Sequence, residues 1–109
     1  MNESEFNDLV DDILVHIEDA VEDASDESGV DMDYETSGGI LTISFPNGSQ
    51  IIINRQAPLK QIWVAAKSGG FHFDYDETND NWQCNDEELF AALSKYCTEQ
   101  SGTSITLEA

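Results

Sequence analysis

The chain has 109 residues, with 23 Asp and Glu against 4 Lys and Arg and a formal net charge of -19. That length suits one domain spanning 1–109, and a hydrophobic share of 39% with Trp63, Trp82, five Phe and three Tyr is too high for an acidic disordered chain. Such a charge repels phosphate backbones, which excludes nucleic acid as a direct partner, and no apolar run approaches the ~18 residues of a membrane span.

From Ser4 to Ala24 the residues Phe6, Leu9, Val10, Ile13, Ile17, Ala20, Val21 and Ala24 recur at steps of three and four, which predicts an amphipathic helix with Ser4 as its cap. Its other face carries Asp8, Asp11, Asp12, Glu18, Asp19, Glu22 and Asp23, with Val15 among them. After Ser28-Gly29 the period drops to two. Val30, Met32 and Tyr34 alternate with Asp31, Asp33 and Glu35, the pattern of a half-buried strand. Gly38-Gly39 turns into Ile40–Phe45, and Asn47-Gly48 is a strong hairpin signal leading to Gln50–Asn54. A loop with Pro58 precedes a strand at Gln61–Ala66, and Gly69-Gly70 turns into Phe71–Asp74. A polar loop over Asp76–Asn81 leads to a short strand at Trp82–Cys84. The second helix is predicted over Asp86–Glu99, capped by Asn85, with Leu89, Phe90, Leu93 and Cys97 inward. The tail Thr103–Leu107 keeps Ile105 and Leu107 for packing. The predicted architecture is α+β: a two-layer α/β sandwich in which two terminal helices cover one face of an antiparallel sheet of five to six strands.

The charge is segregated. No Lys or Arg precedes Arg55, and no Asp or Glu lies between Thr36 and Phe73. The opening Met1-Asn2-Glu3-Ser4-Glu5-Phe6 has neither a basic n-region nor an Arg-rich amphipathic stretch, so a cytoplasmic protein with two reduced thiols, Cys84 and Cys97, is expected.

Several chemistries lack their residues. There is no glycine-rich phosphate loop, no G-x-S-x-G elbow and no H-E-x-x-H, and His16 and His72 sit on different elements. A calcium loop started at Asp31 puts Thr36 and Thr42 where Gly and Glu are needed, and one started at Asp74 puts Asn79 and Asn85 there. Two features remain. Glu18, Asp19, Glu22, Asp23, Asp26 and Glu27, continued by Asp31 and Asp33, make an acidic ridge. It is either a solvated face or a binding surface. Its placement favours binding, since like charges at i,i+4 cost about 0.2–0.5 kcal/mol each and the cluster sits at the helix end whose dipole prefers cations. Exposed carboxylates suit hard cations such as Fe2+, Fe3+ and other divalent ions, held weakly, or a basic protein patch.

The second feature is the uncovered sheet face. If Leu41, Ile43, Phe45, Ile51, Ile53, Ile62, Val64, Phe71 and Phe73 point at the helices, parity turns Thr42, Ser44, Ile52, Asn54, Gln61, Trp63 and His72 outward. That uncharged surface reads either as an interface centred on Trp63 or as cross-strand packing of Trp63 on its neighbours. Trp82 reads as core.

The run Ile51-Ile52-Ile53-Asn54-Arg55-Gln56-Ala57-Pro58-Leu59-Lys60-Gln61-Ile62-Trp63-Val64-Ala65, followed by Gly69-Gly70-Phe71-His72-Phe73-Asp74, resembles the signature stretch of the bacterial frataxins. The likeness extends to the opening residues, the acidic first helix, the Gly38-Gly39 turn with Leu41-Thr42-Ile43, and the final helix. It implies the same sandwich fold and a role in iron–sulfur cluster assembly. It further implies weak iron binding and cysteine desulfurase contact at Glu18, Asp19, Glu22, Asp23, Asp26, Asp31 and Asp33, and contact with the cluster scaffold protein through Asn54, Gln56, Gln61 and Trp63. His72, grouped with that partner-binding face, departs from the Arg that eukaryotic relatives carry near this position, so the scaffold contact those relatives make there need not transfer to this chain. The family offers two roles, regulator or iron donor, and a monomeric state with iron-dependent oligomers as a variation. An iron-oxidising or iron-storing activity is the alternative function, although no enclosed set of Glu and His for a di-iron centre is visible.

Overall fold

Asn2 starts the first helix, α1 (Glu3–Ser28). Its side-chain oxygen accepts from the Glu5 N–H at 2.8 Å, and the Glu5 carboxylate accepts from the Asn2 N–H at 3.3 Å, a reciprocal capping box. The cap is therefore Asn2 and not Ser4, which would leave Asn7, without a carboxylate, at the reciprocating position. The helix also runs past Ala24 to Ser28. Ser25-Asp26-Glu27-Ser28 carry no apolar period, and what stops the helix is Gly29, whose φ of 74° lets its N–H reach the Ser25 carbonyl. Phe6, Val10, Leu14, Ile17, Ala20, Val21 and Ala24 are buried along one stripe. Leu14 lies deeper in it than Ile13, which sits at its margin.

The structure, a computed structural model, describes residues 1–108. Seven strands follow α1: β1 (Asp33–Ser37), β2 (Ile40–Ser44), β3 (Gln50–Gln56), β4 (Gln61–Ala66), β5 (Gly69–Asp76), β6 (Asn81–Cys84) and β7 (Glu87–Glu88), and then α2 (Leu89–Ser101). They form one sheet in sequential order, each antiparallel to the last. The sheet has seven strands rather than five or six, because β6 folds back on itself. Asn85 and Asp86, at φ 51° and 65°, make a tight hairpin turn into the two-residue β7. Residues in that left-handed conformation cannot begin a helix, so α2 starts at Leu89, and its cap is Glu88, whose carboxylate accepts from the Phe90 N–H at 2.8 Å. The first strand likewise starts at Asp33 and not Val30. Met32 is instead tied down before it, its N–H donating to the Val30 carbonyl and the Ser25 hydroxyl.

Alternation along the strands decides what is covered. Leu41, Ile43, Ile51, Ile53, Ile62, Val64 and Phe73 are buried, together with residues from both helices, Ile105 and Leu107. Phe71 is half-buried and stacks on Tyr96 of α2, ring centroids 4.8 Å apart, which places α2 on the same face. The tail is pinned to α2 by Leu107 N–H on Ser94 Oγ at 2.8 Å and Ile105 N–H on Thr98 Oγ1 at 2.9 Å. No helix among the described residues is long and apolar enough to cross a membrane.

Gln100 is the buried polar residue of this core. Its Oε1 accepts from the Lys67 N–H at 2.9 Å, and its Nε2 donates to the Gln50 carbonyl and Ser49 Oγ, both at 3.2 Å. One side chain thus ties the end of α2 to the β2–β3 hairpin and the β4–β5 turn. Gln100→Ala is expected to cost about 1–3 kcal/mol, since it removes a buried amide together with its part-buried hydrogen bonds to the Lys67 N–H and the Gln50 carbonyl. Urea unfolding measures the loss, and a change below about 0.5 kcal/mol would mean that water replaces the amide fully.

Candidate functional site

The ridge forms where the exposed flank of α1 meets the sheet edge. The β1 strand is fully exposed along its length, with Tyr34 and Thr36 on the α1 side and Asp33 and Glu35 on the open side. Thr36 Oγ1 donates to Glu18 Oε2 across this seam. Glu22 and Asp26 share a recess of about 200 Å³ with Ser25, Met32, Asp33 and Tyr34. The Glu22 carboxylate, followed by burial and then Glu18 and Asp19, holds the Tyr34 phenol above its ordinary value of 10.0. Tyr34 thus reports a concentrated negative field. Strand alternation places it on the helix side, yet it remains 38% exposed, because the sheet edge projects beyond the cover that α1 supplies.

The structure does not gather every ridge residue. Glu18 and Glu22 act on Tyr34 and Asp26 lines the same recess, Asp33 borders it with its carboxylate turned to the open side of β1, and Asp19 and Asp23 lie on the neighbouring solvent side of the helix. Asp31 is exposed in the connection after Gly29. Glu27 faces another way, into a recess beside Ser104 and Thr106 of the tail. Asp11 is drawn off by Arg55, whose guanidinium pairs with it and with Asn7 Oδ1 at 3.1 Å, while the Arg55 Nε is buried without an acceptor beneath Gly39. Among the described residues no three His, Cys, Asp or Glu side chains converge tightly enough to chelate an ion. The ridge is an open field of carboxylates and not a cage.

Self-repulsion in that field is measurable. The last turn of α1 has no basic residue, and Asp23 has Asp19 and Glu27 as i,i+4 neighbours. Asp23→Lys turns two repulsions into attractions and meets the helix dipole correctly, so it should stabilise the chain by about 1 kcal/mol. Urea midpoints at low salt test this, and the gain should shrink in high salt as the charges are screened.

On the open face the register aligns Asn54 with Trp63, Trp63 with His72, and Gln61 with both Gln56 and Asp74. Trp63 and His72 stack nearly parallel, centroids 4.3 Å apart at 9°. The Trp63 indole N–H donates to Gln61 Oε1 at 2.9 Å, and Gln61 Nε2 donates to Asp74 Oδ1 at 3.1 Å. Cross-strand packing therefore holds Trp63 half-buried and oriented, and a shallow recess of about 200 Å³ opens beside it, walled by Ile52, Asn54, Ala65, Gly70 and His72. The expected polar residues are joined here by apolar Ile40 and Ile52, 39% and 38% exposed. Ile40 was outside the expected surface, although parity with Asn54 opposite it carries the signal. Trp63 and the ridge are separated by the span from β1 to β4, about 14 Å at normal strand spacing.

A family profile described as frataxin-like domain matches residues 1–103. The chain belongs to the frataxin family. It is 54% identical over 107 residues to the "Iron-sulfur cluster assembly protein CyaY" of Pseudomonas paraeruginosa and 52% identical to that of Pseudomonas aeruginosa, in each case covering 96% of this chain and 95% of the relative. A solved frataxin from Psychromonas ingrahamii is 36% identical and superposes with a TM-score of 0.81 over 100% of both chains. Yeast frataxin, 30% identical, gives a TM-score of 0.69 over 88% of this chain and 80% of its own. The frataxin fold expected from the Asn54–Trp63 stretch is therefore the fold of this chain, two helices on an antiparallel sheet.

Proposed function

We propose that this frataxin-family chain serves iron–sulfur cluster assembly as an iron-binding regulator or iron donor. Iron is its cargo, held loosely on the carboxylates around Tyr34. The ridge also receives the basic surface of a cysteine desulfurase, and the face around Trp63 receives the cluster scaffold protein. The observation that carries this reading is the separation of two unlike surfaces, one wholly anionic and one aromatic with Asp74 as its single charge beside Gln61, in a chain half identical to proteins named for that pathway. Scattered carboxylates with no closed coordination sphere favour fast, weak exchange of a hard cation, which suits sensing or delivery better than storage. A ridge and a face on different sides of one sheet allow both partners to be held together.

The test has two arms. Anaerobic Fe2+ added to the 15N-labelled chain should shift amide signals concentrated between residues 18 and 33, and shifts spread evenly over the molecule would refute the ridge. Pull-down by a cysteine desulfurase should fail for Glu22→Lys/Asp23→Lys, whereas Trp63→Ala should keep the desulfurase and weaken scaffold binding by about 30-fold, as loss of an interface anchor does. The desulfurase rate with and without the iron-loaded chain separates a regulator, which changes it, from a donor, which leaves it alone and speeds cluster formation.

A further inference from the structure

We propose that a groove on the other flank of α1 binds a small organic cation with a flat apolar body. The groove lies between α1 and the β5–β6 ribbon and encloses about 420 Å³, within the range of small-molecule sites. α1 presents Glu18 and Glu22 towards β1, but Leu9, Ile13 and His16 towards β6 and the start of α2, so this groove is not part of the ridge.

Its interior is apolar and its rim is anionic. Leu9 and Ile13 line one wall, and Trp82 and Phe90, both nearly buried, line the groove opposite them. Trp82 is held rigid between Phe6 and Tyr75, edge-to-face to each at 5.8 and 5.2 Å. Tyr75 lines the groove half-buried and places an aromatic wall beside any bound cation. Around this interior stand Asp12, Asp80 and Glu88, with no Lys or Arg. Glu88 spends one oxygen on the α2 cap and Asp80 accepts from the Tyr75 hydroxyl at 3.4 Å. Asp12 makes no hydrogen bond or ion pair among the described residues. Burial, and after it the Asp80 carboxylate, raises the Tyr75 phenol above its ordinary value, in keeping with an anionic, partly desolvated site.

These features select the ligand. A bare metal ion would gain nothing from Leu9, Ile13 and Trp82, and the carboxylates do not converge on a point. An anion is repelled by the rim. A neutral apolar molecule gains nothing from the anionic rim. A planar body with an amidinium or ammonium at one end satisfies both parts, its ring against Trp82 and its charge among Asp12 and Asp80.

Benzamidine is the probe, titrated into the 15N-labelled full chain. Saturable shifts are expected at Ile13, His16, Tyr75 and the Trp82 indole N–H, with neutral benzamide binding at least about tenfold more weakly. Asp12→Asn/Asp80→Asn should weaken benzamidine by about tenfold with the rest of the spectrum unchanged; Asp80 sits at φ 53°, a conformation that Asn adopts readily. The proposal is overturned if benzamide binds equally well, if the double variant binds as the parent does, or if the shifts fall on residues 18–33. It is also overturned if acetyl-arginine amide matches benzamidine at the same residues, which would assign the groove to a protein side chain. The Fe2+ titration reads a separate flank of α1, so failure there leaves this result standing.

Discussion

Trp82→Ala should destabilise the fold by about 3–5 kcal/mol, the largest loss expected from a single truncation here. Trp82 is 2% exposed and lies edge-to-face against Phe6 of α1 and Tyr75 of β5. Phe6 is fully buried, so the indole fastens the first turns of α1 to the β5–β6 ribbon. Removing it leaves a cavity that neither the capped helix nor the tight β6–β7 hairpin can collapse to fill. Against a total stability of about 5–15 kcal/mol this loss approaches half, and it should lower Tm by roughly 15–25 °C. Trp63→Ala is the contrasting case. That indole lies half-buried on the open face and loses mainly its stacking on His72, about 1 kcal/mol. Thermal and urea unfolding of the two variants decide the matter, and equal losses would place Trp63 in the core and undo its reading as an interface residue.

Raising the pH above 9 should unfold the chain progressively, and Cys97 is the first cause. Burial pushes its thiol from 9.0 up to about 12. Tyr96 is pushed from 10.0 up to about 12, by burial first and then by the Glu87 carboxylate, the Cys84 sulfur and the Glu99 carboxylate. Each group is neutral when protonated, and the folded chain favours that form. Below pH 9 both are protonated whether the chain is folded or not, and their contribution is fully present. Between about 9 and 12 the unfolded chain releases these protons before the native one does, so it binds fewer protons and stability falls as pH rises. The urea midpoint should hold to pH 9 and then decline, and Cys97→Ala should delay the onset to about pH 10, where Tyr96 takes over. A midpoint flat from pH 8 to 11 would show that neither group stays protonated in the fold.

Much of this molecule is legible in the residues because its patterns are local. Period 3.6 through Phe6, Val10 and Ile17 marks a helix. Period 2 through Leu41, Ile43, Ile51 and Ile53 assigns the buried face of each strand, and by parity turns Trp63 and His72 outward. Where local reasoning failed, a different interaction outranked the pattern. The capping box outranked Ser4, and Gly29 carried α1 through a polar stretch that hydrophobic periodicity cannot see. Asn85 and Asp86 look like a helix start by composition, but the same small polar side chains tolerate the left-handed backbone of a hairpin turn, and the β6–β7 pairing claimed them.

By itself the sequence determined the sandwich architecture, the two faces of the sheet, the segregation of charge and the membership of the frataxin family, since each depends on residue type at short spacing. Only the tertiary structure decided the partnerships. It brought Glu18, Glu22 and Asp26 around Tyr34 while sending Asp11 to Arg55 and Glu27 to the tail, laid His72 on Trp63, and opened a groove beside Trp82. Those contacts join residues far apart in the chain, and they are set by the rotation of α1 on the sheet and the register between strands. Both are fixed by packing of the whole core, which no stretch of sequence encodes alone.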